Sequence, residues 1–335
     1  MPMMRAVQVS EPGAGLELVN REIPEPGDNE VLIRVEACGI CRGDALAKEG
    51  HWPGIKYPII PGHEVVGVVE AVGSQAKGWK IGQRVGVGWH GGHCFQCSAC
   101  RRGDFLACGH SLTTGLSIDG GYAEYMVARS EALVGIPDKL TPVETAPLLC
   151  AGRTTFGALQ NCGARAGELV AIHGLGGLGH LAVQYSAKLG FQTAVLSRGR
   201  EKEELAYKLG AHIYIDTNAT DAVKELKELG GARVILGTAP SSKAISELIG
   251  GLSRNGKMII VTGVSEPLHF SPSLLLAGSR SVSGWVAGSI EEAVRFSMLF
   301  GVVPVVEVFP LEQAALAFEK MMTSKVHFRS VLRMS

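Results

Sequence analysis

The apolar positions follow two different patterns along the chain, and the pattern changes after Cys150. Before that residue, short runs rich in β-branched side chains, at residues 6–9, 31–35 and 65–69, alternate with turns such as the proline and glycine cluster at 24–27. Such runs predict short strands. A glycine in the middle of residues 65–69 predicts a bend or bulge in that strand. The first part of the chain is therefore expected to form a small β-rich barrel with few helices.

Beyond Cys150 the pattern is a strand, a glycine turn and a helix, repeated. Residues 169–173 have the composition of a buried strand, and apolar residues then recur at helical spacing from Leu178 to Leu189. Further strands and helices are predicted in alternation at residues 193–196, 201–209, 234–236, 244–252, 258–261 and 281–283. Alternating elements of this length predict a doubly wound parallel sheet.

The alternation then stops, and a helix at residues 311–322 and a strand at 330–332 are expected to return to the first domain. The sequence thus predicts an α/β fold with two domains. The β-rich domain is expected to comprise residues 1–151 and 287–335, and the parallel-sheet domain residues 152–286.

The composition agrees with a globular protein of this size. The 335 residues are 46% apolar and 19% charged, which is enough chain for two domains with large cores. Basic and acidic residues cancel, with 32 of each, so neither a nucleic acid nor a membrane surface is an expected partner. The first residues lack the apolar stretch of a secretory signal, and no apolar run is long enough to span a membrane. A cytoplasmic location is therefore expected.

Four of the eight cysteines lie within fifteen residues, with the spacing Cys94-x2-Cys97-x2-Cys100-x7-Cys108. Four thiolates at short spacing can close a tetrahedral site on Zn²⁺ that has no open position, so a structural zinc is predicted. An iron–sulfur cluster and four unrelated reduced cysteines are the alternatives. The flanking His93 is expected to lie on the surface, since four thiolates already saturate the metal, and the same holds for His110.

A glycine-rich turn follows the strand predicted at residues 169–173 and opens the next helix. Glycines in this context let the backbone approach a pyrophosphate, which binds at the helix N-terminus. A turn without a ligand is the alternative. The residues expected to bind a dinucleotide here are Gly174, Gly176, Gly177, Leu178 and Gly179.

The end of the second strand indicates which dinucleotide binds. An acidic residue there would hydrogen-bond the adenosine ribose and repel a 2′-phosphate. This chain has no acid at that point; it has Ser197, Arg198 and Arg200, which can contact a phosphate. NADP(H) is therefore predicted over NAD(H), the alternative being that both arginines are merely solvated.

A second set of potential metal ligands is dispersed along the sequence. Cys41, His63 and Cys150 would form a Cys₂His site with its fourth position free, which is what a catalytic zinc requires. Glu64 adds a carboxylate beside the histidine. The three ligands are far apart in sequence, and their spacing alone does not decide whether they converge.

Together these motifs resemble those of the zinc-dependent medium-chain alcohol dehydrogenases, in the medium-chain dehydrogenase/reductase superfamily, over nearly the whole chain. The matching residues are Cys41 with Asp44, Gly62-His63-Glu64, the loop from Cys94 to Cys108, Cys150 followed by Thr154, and the glycine turn from Gly174. The resemblance implies a GroES-like β-barrel catalytic domain and a Rossmann cofactor domain.

The resemblance also implies roles for individual residues. Cys41, His63 and Cys150 match the catalytic zinc ligands, and Glu64 matches an acid that can approach the metal. Asp44 matches an acid that orients the zinc-bound histidine, although it could also cap the helix that follows it. Those expected to bind the cofactor are Arg42 and Arg329 at the pyrophosphate, Thr154 against the nicotinamide, and Thr238, Gly263 and Trp285. A solvated surface charge is the alternative for Arg42.

The implied function is hydride transfer between NADP(H) and a primary alcohol or aldehyde, with two zinc ions per chain. Trp52 and Trp89 lie near the zinc-binding segments and favour an aromatic or medium-length substrate, with core packing as the alternative. A homo-oligomer, a dimer or a tetramer, is expected from the relatives. Cys38 and Cys162 are expected to be small buried hydrophobes, and Arg153 has no assigned role.

One residue departs from the family pattern. Many relatives have Ser or Thr at the position of Gly43, where the hydroxyl passes the alcohol proton toward solvent, and some have a histidine where this chain has Leu46. A water chain could replace the relay. Alternatively, the reaction needs no such relay, as in relatives that reduce activated carbon–carbon or iminium double bonds. A non-catalytic protein that binds zinc and NADPH is a third possibility.

Overall fold

Most of the predicted apolar runs form strands in the computed structural model, which describes residues 2–286 and 288–334. In chain order the strands are β1 (Met3–Gln8), β2 (Glu17–Glu22), β3 (Glu30–Ile40), β4 (Val65–Val72), β5 (Arg84–Val87), β6 (His90–Gly92), β7 (Leu112–Thr113), β8 (Tyr125–Arg129), β9 (Leu133–Gly135), β10 (Leu169–His173), β11 (Gln192–Ser197), β12 (Ile213–Asp216), β13 (Ala232–Gly237), β14 (Leu252–Ile260), β15 (Ser281–Gly284), β16 (Val306–Pro310) and β17 (Arg329–Arg333).

The helices are mostly short in the first part of the chain and longer in the second. In chain order they are α1 (Ala45–Glu49), α2 (Ser98–Arg101), α3 (Pro142–Thr145), α4 (Ala151–Gln160), α5 (Gly179–Lys188), α6 (Glu203–Lys208), α7 (Ala222–Glu228), α8 (Ser242–Leu248), α9 (Ser273–Leu276), α10 (Ile290–Phe300) and α11 (Ala314–Met322). Within the described ranges, none has the length and apolar character needed to cross a membrane.

The chain divides into two units. The catalytic unit combines the residues up to Cys150 with those from Pro304 onward, and the cofactor unit is Ala151–Val303. The cofactor unit extends beyond residue 286, where its end was expected, because α10 belongs to it. Tyr185 of α5 hydrogen-bonds Ser297 of α10 at 2.7 Å, and Phe156 of α4 packs against Phe296. The expected boundary residue 287 lies outside the described residues.

The catalytic unit is built around β3, which pairs with β4, β8 and β17. The strand order is β16-β17-β3-β4-β5-β9, with β8 also on β3. Alternate residues of β3, including Ile33 and Val35, enter the core with Val65 of β4. A register shift between Val35 and Ala37 lies opposite Gly67, which places an irregularity beside the glycine that predicted one.

The cofactor unit is a six-stranded parallel sheet in the order β12-β11-β10-β13-β14-β15. The order reverses between β10 and β13, and ligands of such sheets bind at this switch point, beyond the carboxyl ends of the strands. The predicted two-domain α/β fold, with a β-rich domain and a doubly wound parallel sheet, is confirmed. The helix expected at 244–252 is shorter, because Leu252 already begins β14.

Strand register brings separate parts of the catalytic unit to one end of its sheet. β3 ends at Ile40, directly before Cys41, and β4 begins directly after Glu64. Because β3 and β4 are antiparallel, the end of one strand and the start of the other meet at the same edge. β17 is also antiparallel to β3, so Arg329 starts its strand at that edge.

Candidate metal and cofactor sites

The structure brings together the dispersed ligands of the catalytic unit. Each of Cys41, His63, Glu64 and Cys150 offers one ligand atom, and these atoms lie within 4.8 Å of one another. The Sγ atoms of Cys41 and Cys150 are 3.9 Å apart. Nε2 of His63 is buried and has no hydrogen-bond partner among the described residues. Two thiols and an orphaned imidazole nitrogen form a donor set that fits zinc, with a further position available.

The electrostatics of the two thiols also suit a cation. The hydrogen bond to Cys150 and the nearby His63 lower the pKa of the Cys41 thiol well below its usual value, despite its burial. The same contact and burial raise the pKa of Cys150. Without a metal only one thiolate is therefore favoured, whereas a divalent cation would stabilise both.

Glu64 is held beside the ligands by a buried ion pair. Nη2 of Arg329 donates to Oε1 of Glu64, and Oε2 has no partner among the described residues. Burial raises the pKa of Glu64 to about 7, although the charge of Arg329 opposes this. A β-carbon on Gly39 would lie 2.0 Å from Oε2, so only glycine leaves room for this carboxylate. The structure thus places Arg329 on Glu64, and its contact with a cofactor pyrophosphate stays a prediction.

The carboxylate of Asp44 contacts two of the candidate ligands, His63 and Cys41. Its Oδ1 lies 2.9 Å from Nδ1 of His63, and its Oδ2 accepts a 2.8 Å hydrogen bond from the backbone N–H of Cys41. Asp44 precedes α1, but its carboxylate makes no capping bond to that helix. The carboxylate instead fixes the tautomer of His63 that leaves Nε2 as the free nitrogen.

One indole ring lies against the ligand cluster, and a second packs against the first. Trp89 contacts the His63 ring edge-on, with ring centroids 4.8 Å apart, and Trp52 contacts Trp89 edge-on at 5.6 Å. Both indoles also pack against a core cluster that includes Ile59 and Leu116. Both rings therefore pack against the core, and Trp89 also lies beside His63; a role of either ring in binding substrate stays a prediction.

The four-cysteine loop gathers its sulfurs around one point. Cys94, Cys97, Cys100 and Cys108 offer Sγ atoms within 4.8 Å of one another. The Cys97–Cys100 separation is 3.5 Å and the Cys94–Cys108 separation is 3.6 Å. Zinc–sulfur bonds of about 2.3 Å in a tetrahedron require sulfurs about 3.8 Å apart. This spacing leaves room for a single ion rather than for a cluster of several irons.

Backbone hydrogen bonds favour the thiolate form in this loop. A contact with the backbone of Cys100 is the largest of those that lower the pKa of Cys97 to about 6. Backbone contacts from Gln96 and Cys97 likewise lower the pKa of Cys94. Burial and hydrogen bonds with the neighbouring thiols instead raise the pKa of Cys100 to about 12, so only part of the loop favours the metal-binding thiolate form before a cation binds.

His93 differs from its prediction, whereas His110 does not. His93 is buried, its ring lies between Phe95 and Phe105, and its Nδ1 is 2.9 Å from Nε2 of His90. The expectation that it lies on the surface is wrong, because the two phenylalanines of the cysteine loop pack against its ring. His110 is exposed as predicted.

The glycine turn of the cofactor unit has the geometry that a dinucleotide needs. Gly174 has a φ of +95°, and a β-carbon on Gly179 would lie 1.9 Å from the carbonyl oxygen of Gly174. Nothing lies within 4 Å of a β-carbon on Gly176, so its backbone borders open space. The turn runs through Gly177 and Leu178 into α5, whose N-cap residue, Leu178, makes no side-chain hydrogen bond to the first turn.

Thr238 supports this turn from the neighbouring strand end. Its hydroxyl donates to the carbonyl oxygens of His173 at 2.9 Å and Gly174 at 3.1 Å. His173 ends β10, is buried, and its Nδ1 has no partner among the described residues. Burial lowers the pKa of His173 to about 4, so its imidazole is neutral beside the turn.

The segment after β11 carries the residues expected at the ribose. Ser197 is partly exposed, and Arg198 and Arg200 are exposed. The side chain of Arg200 makes a loose 3.9 Å contact with Glu203. Asp216, at the end of the next strand, accepts the backbone N–H of Gly199 at 2.8 Å and so holds this turn in place. Both arginines thus remain on the surface beside a fixed turn.

Lys202 is a residue that the sequence analysis missed. Its Nζ donates to the carbonyl oxygen of Leu175, 3.0 Å away, inside the glycine turn. It therefore links the pyrophosphate-binding turn to the segment after β11. The sequence signal for this contact was a lysine immediately before α6, five residues beyond Ser197. Surface lysines are too common for that position alone to predict the contact.

The remaining predicted cofactor residues are placed as follows. Arg42 is exposed, with its Nη2 3.5 Å from the carbonyl oxygen of Met322. Thr154 is partly exposed on α4, next to the buried Arg153. Gly263 borders open space, and Trp285 has a buried Nε1 without a partner among the described residues. Their contacts with a cofactor stay predictions.

Comparison with known proteins gives consistent matches over both units. The family model described as Alcohol dehydrogenase GroES-like domain matches residues 27–138, and the model described as Zinc-binding dehydrogenase matches residues 177–299. Alcohol dehydrogenase notN from Aspergillus sp. (strain MF297-2) is 45% identical over 327 residues, covering 97% of this chain and 96% of that protein. An alcohol dehydrogenase of Geobacillus stearothermophilus is 39% identical over 336 residues, covering 99% of each.

Solved structures give the same result. A cinnamyl alcohol dehydrogenase from Sorghum bicolor superposes with a TM-score of 0.89 at 28% identity, covering 99% of this chain and 98% of that one. The structure described as CAD from Helicobacter pylori complexed with NADP(H) has a TM-score of 0.86 at 26% identity, with coverage of 99% and 98%.

Proposed function

The chain belongs to the zinc-dependent medium-chain dehydrogenase/reductase family and is an oxidoreductase, and we propose that it transfers a hydride between NADP(H) and a primary alcohol or aldehyde. The observation that carries this proposal is the convergence of Cys41, His63 and Cys150 around one point, with Nε2 of His63 unpartnered. Arg329 engages Glu64, so the three remaining ligands leave a position for substrate, whereas a structural site would use four protein ligands.

The residues of the site have separable tasks in this reaction. A zinc ion held by Cys41, His63 and Cys150 would supply Lewis acidity toward a substrate oxygen, and a bound nicotinamide would carry the hydride. Asp44 keeps Nδ1 of His63 engaged, so that Nε2 points to the metal position. Glu64 provides a carboxylate that Arg329 keeps in place. Trp52 and Trp89 present apolar surface that favours an aromatic or medium-length substrate and excludes water.

The NADP(H) preference is supported by the segment after β11. Ser197, Arg198 and Arg200 offer a hydroxyl and two guanidinium groups where an acid would select NAD(H). The test is a comparison of the Michaelis constants for NADPH and NADH with one aldehyde. A clear preference for NADH would overturn this part of the proposal.

A second candidate function follows from Gly43, which lacks the hydroxyl that relays the alcohol proton in many relatives. In this alternative the enzyme reduces activated carbon–carbon or iminium bonds with NADPH. The discriminating experiment is an NADPH-linked screen across alcohols, aldehydes, enones and cyclic imines, with and without a chelator. Turnover of enones or imines alone would favour the alternative. No turnover of any class would favour a non-catalytic protein that binds zinc and NADPH.

Two further parts of the proposal concern the molecule as a whole. We propose two zinc ions per chain, one held by the four-cysteine loop and one by the Cys41 site, because both groups of side chains have the donor set for it. A homo-oligomer and a cytoplasmic location are also proposed. Metal analysis of the purified protein and its mass in solution test the first two.

A further inference from the structure

Tyr122 is fully buried in the catalytic unit, and none of the motifs described above includes it. It precedes β8 and is one of the largest side chains without solvent exposure. Its hydroxyl donates a 2.8 Å hydrogen bond to Oδ2 of Asp44, which is 78 residues away in sequence. Tyr122 touches no metal-ligand atom in this contact, so any effect on the site must pass through Asp44.

The carboxylate of Asp44 is held on both of its oxygens. Oδ2 accepts from the hydroxyl of Tyr122 and from the backbone N–H of Cys41, each at 2.8 Å. Oδ1 lies 2.9 Å from Nδ1 of His63. Rotation of the carboxylate about its bond would break these contacts together. The hydroxyl of Tyr122 therefore holds the carboxylate of Asp44. That carboxylate in turn orients the ring of His63 and the backbone of Cys41, two of the proposed ligands.

The position of the Tyr122 ring is itself fixed against the segment that leads to His63. The backbone N–H groups of Gly121 and Tyr122 donate to the carbonyl oxygens of Gly62 and Pro61, at 3.0 Å each. A β-carbon on Gly62 would lie 2.5 Å from Cδ1 of Tyr122, so the ring lies directly against the backbone before His63. The ring is therefore held in place by the segment that precedes His63.

The hydroxyl of Tyr122 also stays protonated. Burial, and then the charge of Asp44, raise the pKa of Tyr122 well above its usual value. Burial therefore favours the neutral hydroxyl, which is the form that donates to Asp44.

We propose that Tyr122 is a positioning residue for the Cys41–His63–Cys150 site, whose hydroxyl holds Asp44 so that His63 and Cys41 keep the geometry of metal ligands. This inference rests on the proposed metal site. It gives the tyrosine a role in metal retention as well as in packing. A side chain that only filled the core would not affect metal retention.

Tyr122→Phe removes the hydroxyl and keeps the ring, and Tyr185→Phe is a matched control. Tyr185 is also fully buried and loses one hydroxyl contact, the 2.7 Å bond to Ser297 in the cofactor unit. Zinc-loaded proteins are exposed to an excess of a coloured chelator, and the release of each zinc is timed. The zinc of the four-cysteine loop serves as the internal reference.

We expect Tyr122→Phe to release the zinc of the Cys41 site about 10- to 100-fold faster than wild type, the range for loss of a group that orients a ligand. Release from the four-cysteine loop should not change, and Tyr185→Phe should behave as wild type at both sites. In cobalt-substituted protein, the ligand-field absorption of the Cys41 site should shift in Tyr122→Phe alone.

Three results would overturn the proposal. Unchanged zinc release in Tyr122→Phe would show that the hydroxyl does not position the site, and equal acceleration in Tyr185→Phe would show a general loss of rigidity. A Tyr122→Phe,Asp44→Ala double variant that releases zinc faster than Asp44→Ala alone would show that the tyrosine does not act through Asp44. A wild-type protein that holds zinc only in the four-cysteine loop would instead refute the proposed metal site, which metal analysis reveals before any variant is made.

Discussion

Gly43 lies against the indole of Trp89: a β-carbon built on Gly43 would be 2.9 Å from Cζ3 of Trp89 and 3.0 Å from Cε1 of His63. Trp89 cannot easily retreat, because its ring also rests edge-on against Trp52. The position of the indole therefore requires a residue without a side chain at position 43. A relay side chain cannot be restored there without moving a wall of the proposed substrate site.

Gly43→Thr should therefore impair the enzyme. We expect kcat/KM for benzyl alcohol oxidation to fall by more than about tenfold, because a displaced indole disturbs substrate positioning. The same substitution should cost less in a Trp89→Leu background, with a coupling of about 1 kcal/mol or more between the two positions. Gly15→Thr, where a β-carbon meets nothing within 4 Å, is the control. A Gly43→Thr enzyme faster than wild type across the pH range would contradict this explanation.

Cofactor preference should depend on the segment after β11. Replacing Arg198 by Ala removes a charged contact to a 2′-phosphate, which is worth roughly 1.5–3 kcal/mol, so kcat/KM for NADPH should fall about 10- to 100-fold while that for NADH changes little. Ser197→Asp should lower NADPH use further and improve NADH use. The exposed Arg102, in the catalytic unit, is the matched site for a control Arg→Ala substitution. Equal losses with both cofactors would show that Arg198 does not discriminate between them.

The stability of the cofactor unit should fall below neutral pH because of His173. Its pKa is about 4 in the folded protein, against 6.5 when solvated. The unfolded chain therefore binds more protons between these values, so this contribution is complete above pH 6.5 and is lost as the pH falls toward 4. It amounts to about 2 kcal/mol between pH 7 and pH 5.

The measurement for His173 is the midpoint of urea unfolding at pH 7 and pH 5, without cofactor. His173→Gln should lose less stability than wild type over this interval, by about 2 kcal/mol. His269→Gln, at an exposed histidine, should retain the full pH dependence. If His173→Gln and wild type respond equally to pH, the histidine is not held neutral in the folded protein.

The four-cysteine loop should depend on its metal. Cys100→Ser breaks a closed site, so the protein should retain about one zinc per chain instead of about two, and its melting temperature should fall. Cys162→Ser changes a buried cysteine that lies outside both ligand groups and serves as the control for losing a buried thiol. Full zinc content in Cys100→Ser would show that the loop does not hold a metal in the proposed way.

Local patterns predicted the elements and the four-cysteine group well, whereas the spacing of Cys41, His63 and Cys150 did not decide whether they converge. The strand at residues 169–173 has the predicted bounds, and the glycine turn that follows has the geometry its spacing indicated. Short-range spacing also identified the four cysteines, because all four ligands come from one loop. These features depend on neighbours in sequence, which a pattern can capture.

The features that were missed depend on contacts between distant residues. Tyr122 acts on a carboxylate 78 residues away, and a buried tyrosine has no sequence signature that separates this role from packing. The burial of His93 follows from two phenylalanines that fold over it. Helix α10 joins the cofactor unit through aromatic packing on α4 and α5, so the end of the strand alternation did not mark the end of that unit.

The order of strands has a consequence for the protein during its synthesis. β17 lies inside its sheet, between β16 and β3. It carries Arg329, the buried partner of Glu64, which lies 265 residues earlier in the chain. The ribosome therefore releases Cys41, His63 and Glu64 long before the strand that completes their sheet. The contiguous cofactor unit is complete in the nascent chain before that strand is made, whereas the proposed metal site is completed last. Zinc capture at that site is then expected to be a late event, after translation has passed Arg329.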